Sequence, residues 1–221
     1  MSKKLKFGIG IIAILAIIGL ICGIRGMRNF YIIQNIFNEL ETNLEKDNYY
    51  LRSTTTHDGV TALTKIYYKE GIGKMVAENG IYTWVDGENA YMVDEENKMI
   101  YVLDMENSLG LVSNEMFASF VPGYSKNLLE RFVMVASLQN KIKSEVVDEK
   151  KCYMIQITED ESIKTYWIEK NSKKPVKAKV ELLNGQVYEY EYQLQFGVTK
   201  IKDIELPDIT DYTRIEVQAN D

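Results

Sequence analysis

The segment Phe7–Ile24 holds eighteen residues and no charged side chain. At ~1.5 Å per residue, a helix of that length spans ~27 Å, close to the ~30 Å hydrocarbon core of a bilayer. Lys3, Lys4 and Lys6 precede it, Leu5 can extend it, and Arg25 and Arg28 close it. A secretory signal would have a shorter apolar core and a small-x-small cleavage site. No Ala-x-Ala pattern occurs here, and Gly19-Leu20-Ile21 lacks the small residue expected just before a lipidated Cys22. An uncleaved transmembrane anchor over 7–24 is therefore expected in preference to a cleaved signal. The positive-inside tendency places residues 1–6 as a cytoplasmic tip, with the remainder extracytoplasmic, in a single-pass protein of the cell membrane.

Splitting the 221 residues at Arg28 sharpens the charge pattern. The whole chain carries 32 acidic and 26 basic side chains, but all the acidic ones follow Arg28. The 193 residues from Asn29 onward hold 21 basic against 32 acidic groups, a net charge of −11. Such a domain lacks the basic patch that phosphate contacts require, so no nucleic-acid partner is expected. Its charge also gives no attraction to anionic headgroups. Cys22 lies in the anchor, and Cys152 reads as a small buried strand residue.

Beyond the anchor, Phe30, Ile33, Ile36, Phe37, Leu40 and Leu44 recur at three- and four-residue steps, with Asn35, Asn38, Glu39, Glu41 and Asn43 opposite. This predicts an amphipathic, core-packing helix through about Lys46. From Tyr49 the period turns strand-like. Strands are expected over Tyr49–Thr56, Leu63–Lys69, Lys74–Glu78, Ile81–Val85, Ala90–Val93 and Met99–Leu103. Asp58-Gly59, Asn79-Gly80 and Asp86-Gly87 supply turns. Two inserted helices follow: a short one capped by Ser113-Asn114, with Met116, Phe117 and Phe120, and one capped by Ser125, with Leu128, Leu129, Phe132, Val135 and Ala136 facing inward. Strands resume over Ile142–Val147, Cys152–Thr158, Thr165–Glu169, Val176–Leu183, Gln186–Phe196 and Val198–Ile204. In the strand ending at Phe196, Tyr188, Tyr190, Tyr192, Leu194 and Phe196 alternate strictly with polar residues over nine positions, predicting an aromatic stripe and a solvated stripe. One α+β domain over 29–212, with a tail over 213–221, accounts for this order.

Motifs of catalysis and metal binding are missing from the sequence. His57 sits beside a turn with no nucleophile motif near it, and reads as a loop histidine. Asp94-Glu95-Glu96 and Glu159-Asp160-Glu161 lack the alternating ligands and central glycine of a calcium loop, and read as hairpin tips. Gly71-Ile72-Gly73 opens no helix and has no third glycine. No phosphate loop, Gly-x-Ser-x-Gly or His-Glu-x-x-His is present. Neither enzyme activity nor a cofactor is expected.

What stands out is 15 tyrosines set among long alternating strands. They either pack the sheet against the helices or line an apolar cavity under the inserted helices. On the second reading Phe117, Phe120, Leu128, Phe132, Tyr188, Tyr190 and Tyr192 are the candidate ligand-binding residues.

Three local signatures accompany this order of elements: Trp84-Val85-Asp86-Gly87 with Tyr91 and Asp94; Tyr166-Trp167-Ile168-Glu169-Lys170 followed by Lys174-Pro175-Val176-Lys177; and the ending Asp203-Ile204-Glu205-Leu206-Pro207. Over about Phe30 to Pro207 the chain resembles the LolA/LolB-like lipoprotein-carrier superfamily. The resemblance implies a strongly curved antiparallel half β-barrel, with an N-terminal helix and central helices on an apolar concave face. It implies carriage of lipid or lipoprotein, or an extracytoplasmic sensor or adaptor role. A carrier that shuttles must leave the membrane, and an uncleaved anchor opposes that. The resemblance is nearer to membrane-tethered relatives in Gram-positive bacteria, such as germination lipoproteins of the GerS kind, in which the domain supports a cell-wall amidase. The expected function is a non-enzymatic binding protein holding a lipid or other amphiphile. The alternative is an envelope adaptor or sensor with a filled core and a protein partner.

Overall fold

The computed structural model describes residues 3–103, 122, 127–137, 139–159 and 161–216, with side chains from Gly19 onward except 21 and 22. The uncharged run and the amphipathic segment form one unbroken helix, α1 (Lys3–Leu44). Among the described residues, no helix is long and apolar enough to cross a membrane; most of Phe7–Ile24 lies where side chains are not described. Ile33, Ile36, Phe37, Leu40 and Leu44 are buried, as their spacing predicts, and Asn35, Asn38, Glu39 and Glu41 are exposed.

Among the described residues, twelve strands make one sheet. β1 (Asn48–His57), β2 (Val60–Lys69), β3 (Ile72–Ala77), β4 (Tyr82–Val85), β5 (Ala90–Asp94) and β6 (Met99–Val102) form an antiparallel meander. After helix α2 (Leu128–Ala136), a second meander runs through β7 (Lys141–Val147), β8 (Lys150–Thr158), β9 (Ser162–Glu169), β10 (Pro175–Leu182) and β11 (Val187–Phe196). The second meander starts at the far edge and returns to the middle, where β11 pairs antiparallel with β1 over Tyr49↔Phe196 to His57↔Tyr188. The chain ends on the opposite edge, with β12 (Thr213–Glu216) parallel to β6.

Strand parity divides the sheet into two faces. Leu51, Ile66, Val85, Ile155, Ile168, Tyr192 and Leu194 share the inner face and pack with α1 in the main core. Glu189, Glu191, Gln193 and Gln195 alternate onto the outer face, where Lys177 pairs with Glu189 at 3.0 Å. A smaller outer cluster joins Tyr82, Trp84 and Val93 to Leu206 and Tyr212 of the C-terminal segment. The Trp84 indole donates to the Ile204 carbonyl at 2.8 Å and ties that segment down.

Several elements depart from the sequence expectations. Val198–Ile204 is not a strand: the chain turns away at Gly197 (φ +72°) and ends in a single helical turn, α3 (Ile201–Ile204). Thr199 donates to the Tyr49 carbonyl at 2.7 Å, while its backbone exchanges bonds with the Asn48 side-chain amide, so this segment closes the end of β1. The cap of α2 is Asn127, not Ser125. Its side chain accepts from the Glu130 amide at 3.0 Å and Glu130 accepts from the Asn127 amide at 3.2 Å, a reciprocal capping box. Of the α2 residues expected to face inward, Val135 is buried and Ala136 is half-buried against Gly26, whereas Leu128, Leu129 and Phe132 are exposed. The expected helix with Met116, Phe117 and Phe120 lies outside the described residues.

Candidate functional site, an apolar crevice beside the second helix

The apolar residues of α2 outnumber the contacts available to it. Val135 enters the main core, and the Phe132 ring meets Phe30 edge-on at 5.7 Å. Gly26 lets the two helices close: a Cβ there would stand 3.1 Å from the Ala136 Cβ. Arg131 lies over the Phe37 ring at 4.1 Å. These contacts occupy one side of α2 and turn Leu129 and Val133, four residues apart, to the other side.

That side faces the end of β8 across a crevice of about 450 Å³, lined by Leu129, Glu130, Val133, Met134, Asn140, Ile157, Thr158 and Glu159. Asn140 sets its shape. Its buried side chain donates to the Met134 carbonyl at 2.5 Å and accepts from the Thr158 amide at 2.9 Å. The loop leaving α2 is thereby fastened to β8. Ile157, 5% exposed, forms the floor. Glu159 at the rim pairs with Lys164 at 2.6 Å, and Glu130 serves the capping box. An apolar floor with polar groups at its mouth suits an apolar chain bearing a polar end. No nucleophile–base pair lines it, and among the described residues no group of three or more His, Cys, Asp or Glu could hold a metal ion.

The β11 tyrosines lie elsewhere on the inner face. Tyr192 is buried in the core, Tyr190 stacks parallel to it at 6.2 Å, and Tyr188 stacks on His57 at 4.0 Å. Burial, then the neighbouring Tyr190 and Tyr166, pushes the Tyr192 phenol well above its ordinary pKa. Burial and Glu159 raise Tyr166 to about 12. Both shifts favour the neutral phenol, and both rings pack in the main core. Leu128 and Phe132 do not line the crevice, and the positions of Phe117 and Phe120 fall outside the described residues. Sequence reasoning missed Val133, Met134, Asn140 and Ile157. The available signal was the four-residue step Leu129–Val133 on a helix already carrying Val135 on its other side.

The remaining chemistry-bearing residues have structural places. His57 ends β1, its Nδ1 3.0 Å from the Val187 carbonyl and its Nε2 3.3 Å from Asp58. Cys152 is buried on β8, and burial raises its thiol pKa. Asp94 closes the β5–β6 turn by accepting from the Asn97 amide at 3.0 Å.

No protein-family model matches the chain, and no curated protein matches it in sequence. Solved structures match it in shape. An uncharacterized conserved protein from Thermus thermophilus superposes with a TM-score of 0.53 at 8% identity, over 83% of this chain and 98% of that one. The MucA/MucB complex of Pseudomonas aeruginosa gives 0.48 at 12% identity, over 82% of this chain and 63% of that one. A LolA superfamily protein, NE2245 from Nitrosomonas europaea, gives 0.31 at 11% identity, over 79% and 98%. At these identities the likeness concerns fold alone. The fold is one open, almost wholly antiparallel sheet with an N-terminal helix along its inner face, the arrangement that the sequence resemblance to the LolA/LolB-like superfamily implies.

Proposed function

We propose that the chain is a membrane-anchored, non-enzymatic binding protein that holds the apolar part of a lipid or other amphiphile between α2 and β8. The observation that carries this reading is the crevice: about 450 Å³, with Leu129, Val133 and Ile157 as its apolar wall and floor. That volume falls within the ~300–1,000 Å³ of small-molecule sites. Anchoring is supported by the uncharged run Phe7–Ile24 and by the exposure of Leu20 and Ile24, which stand outside the core. The Lys cluster at 3–6 would remain cytoplasmic and the sheet domain extracytoplasmic.

The test is native mass spectrometry of the full chain extracted in mild detergent, beside Val133→Trp, which fills the crevice from an exposed position. Co-purified lipid on the parent and its loss from Val133→Trp are expected. A parent free of lipid, or a variant carrying as much as the parent, would overturn the reading.

One observation favours an adaptor or sensor in the cell envelope, for example one supporting a cell-wall enzyme in sporulation or germination. α1 fills the inner face, with Ile33, Ile36, Phe37 and Leu40 at most 1% exposed, so this part of the sheet is packed rather than hollow. Capture of a protein partner by the full chain, unchanged after delipidation and in Val133→Trp, would support this second reading.

A further inference from the structure

Helix α1 carries a stripe of exposed apolar side chains at Leu20, Ile24, Met27 and Tyr31, all on one face. The stripe does not stop where the uncharged run stops. Met27 and Tyr31 continue it to ~10 Å beyond Ile24 at ~1.5 Å per residue, and Tyr is a residue favoured where hydrocarbon meets water. Because α1 is unbroken, the domain's own groups are fixed relative to the end of that run. Gly26, two residues past Ile24, meets Ala136 and Phe132 of α2. Arg25, one residue past it, donates to the Asn140 carbonyl at 2.6 Å.

Hydrogen bonds carry this level across the sheet. Asn140 holds Thr158 at the end of β8, Ser162 of β9 pairs with Leu182 of β10, and the Leu183 amide donates to the Glu161 carbonyl at 3.1 Å. At this end of the domain Leu129, Val133 and Leu183 are 72%, 61% and 78% exposed. Three large aliphatic side chains face solvent beside the point where an apolar helix leaves the fold.

We infer that this end of the domain rests on the bilayer that holds Phe7–Ile24, with Val133, Leu129 and the Leu183 tip in the lipid interface. The crevice between α2 and β8 then opens onto lipid, and an amphiphile reaches it without its apolar part crossing water. The inference rests on the anchored reading above and adds to it an orientation of the domain. Glu130, Glu159 and Glu161 lie along the same rim, so the contact is apolar rather than electrostatic, and zwitterionic lipid suffices.

The experiment uses the full chain carrying Cys22→Ala, reconstituted in phosphatidylcholine vesicles. Cys152 is fully buried and shielded from labelling. An environment-sensitive fluorophore is placed in turn at Val133→Cys, Leu183→Cys, Leu20→Cys and Val146→Cys, the last at the opposite end of the sheet. Brominated phosphatidylcholine should quench the probes at 133 and 183 by at least half as much as the probe at 20, and leave 146 unquenched. Circular dichroism of each labelled protein verifies the fold. Quenching at 20 with none at 133 or 183 would overturn the inference and leave the anchor standing. Absence of quenching at 20 would overturn both. Equal quenching at 146 would overturn the orientation.

Discussion

Arg25 of the N-terminal helix donates from its Nη2 to the backbone carbonyl of Asn140 at 2.6 Å, across 115 residues of sequence. The Asn140 side chain simultaneously bonds Met134 of α2 and Thr158 of β8. One buried residue thus joins the long helix, the inserted helix and the sheet at the mouth of the crevice.

Asn140→Ala should therefore destabilise the fold by about 1–3 kcal/mol, since it leaves a part-buried carbonyl and a part-buried amide without their partner. The Arg25 bond goes to the backbone and survives. Urea unfolding of the full chain in detergent, followed by circular dichroism, should show a lower midpoint at unchanged slope.

Val133→Asp and Ile157→Ala should separate binding from stability. Val133 is exposed, so a carboxylate there should change stability by no more than about 0.5 kcal/mol. Placed in the apolar wall, it should weaken binding of a fluorescent fatty acid about tenfold. Ile157 is buried, and truncating it should cost about 2–4 kcal/mol. Titration and urea unfolding of both variants measure the two effects side by side.

The β7–β8 hairpin turns through Asp148 and Glu149 at φ +47° and +65°, without a glycine. Left-handed backbone is disfavoured for both side chains, and this turn type prefers Asn-Gly. Replacing the pair by Asn-Gly should raise stability by about 1 kcal/mol, read as a higher urea midpoint.

Alkaline pH should loosen the core through its tyrosines. The folded pKa of Tyr166 is raised to about 12 from an ordinary 10.0. The fold therefore keeps a proton that the unfolded chain releases. Its stabilising contribution is complete below pH ~10 and is lost as pH rises from there through about 12, on the order of 2 kcal/mol. Tyr166→Phe should flatten this decline, measured as urea midpoints between pH 9 and 11.5.

Local chemistry made much of this architecture legible. Asp58-Gly59 and Asp86-Gly87 mark real turns, and the alternation from Tyr188 to Phe196 does separate a packed face from a solvated one. The Asp148-Glu149 turn escaped notice because its residues do not advertise positive φ. The pairing of β1 with β11 is non-local, and no pattern within either strand names its partner. β12 was missed because Thr213–Glu216 is wholly exposed and held by its ladder to β6, so it shows no buried periodicity. The crevice was half visible. Leu128, Leu129 and Phe132 announce an apolar helix, but only the close approach of Gly26 to Ala136 decides which of them the core takes and which are left over.

The union of β1 with β11 also sets an order of events at the ribosome. β1 is a central strand, yet one of its two neighbours is made about 140 residues later than itself. Throughout that interval the first meander carries an open edge along Tyr49–His57, and α1 covers half a sheet. Contacts so distant in sequence form slowly, and unpaired edges invite association between chains. On the anchored reading proposed above, the chain would wait at the membrane, in one place and one orientation, until Val187–Phe196 arrives to complete the sheet.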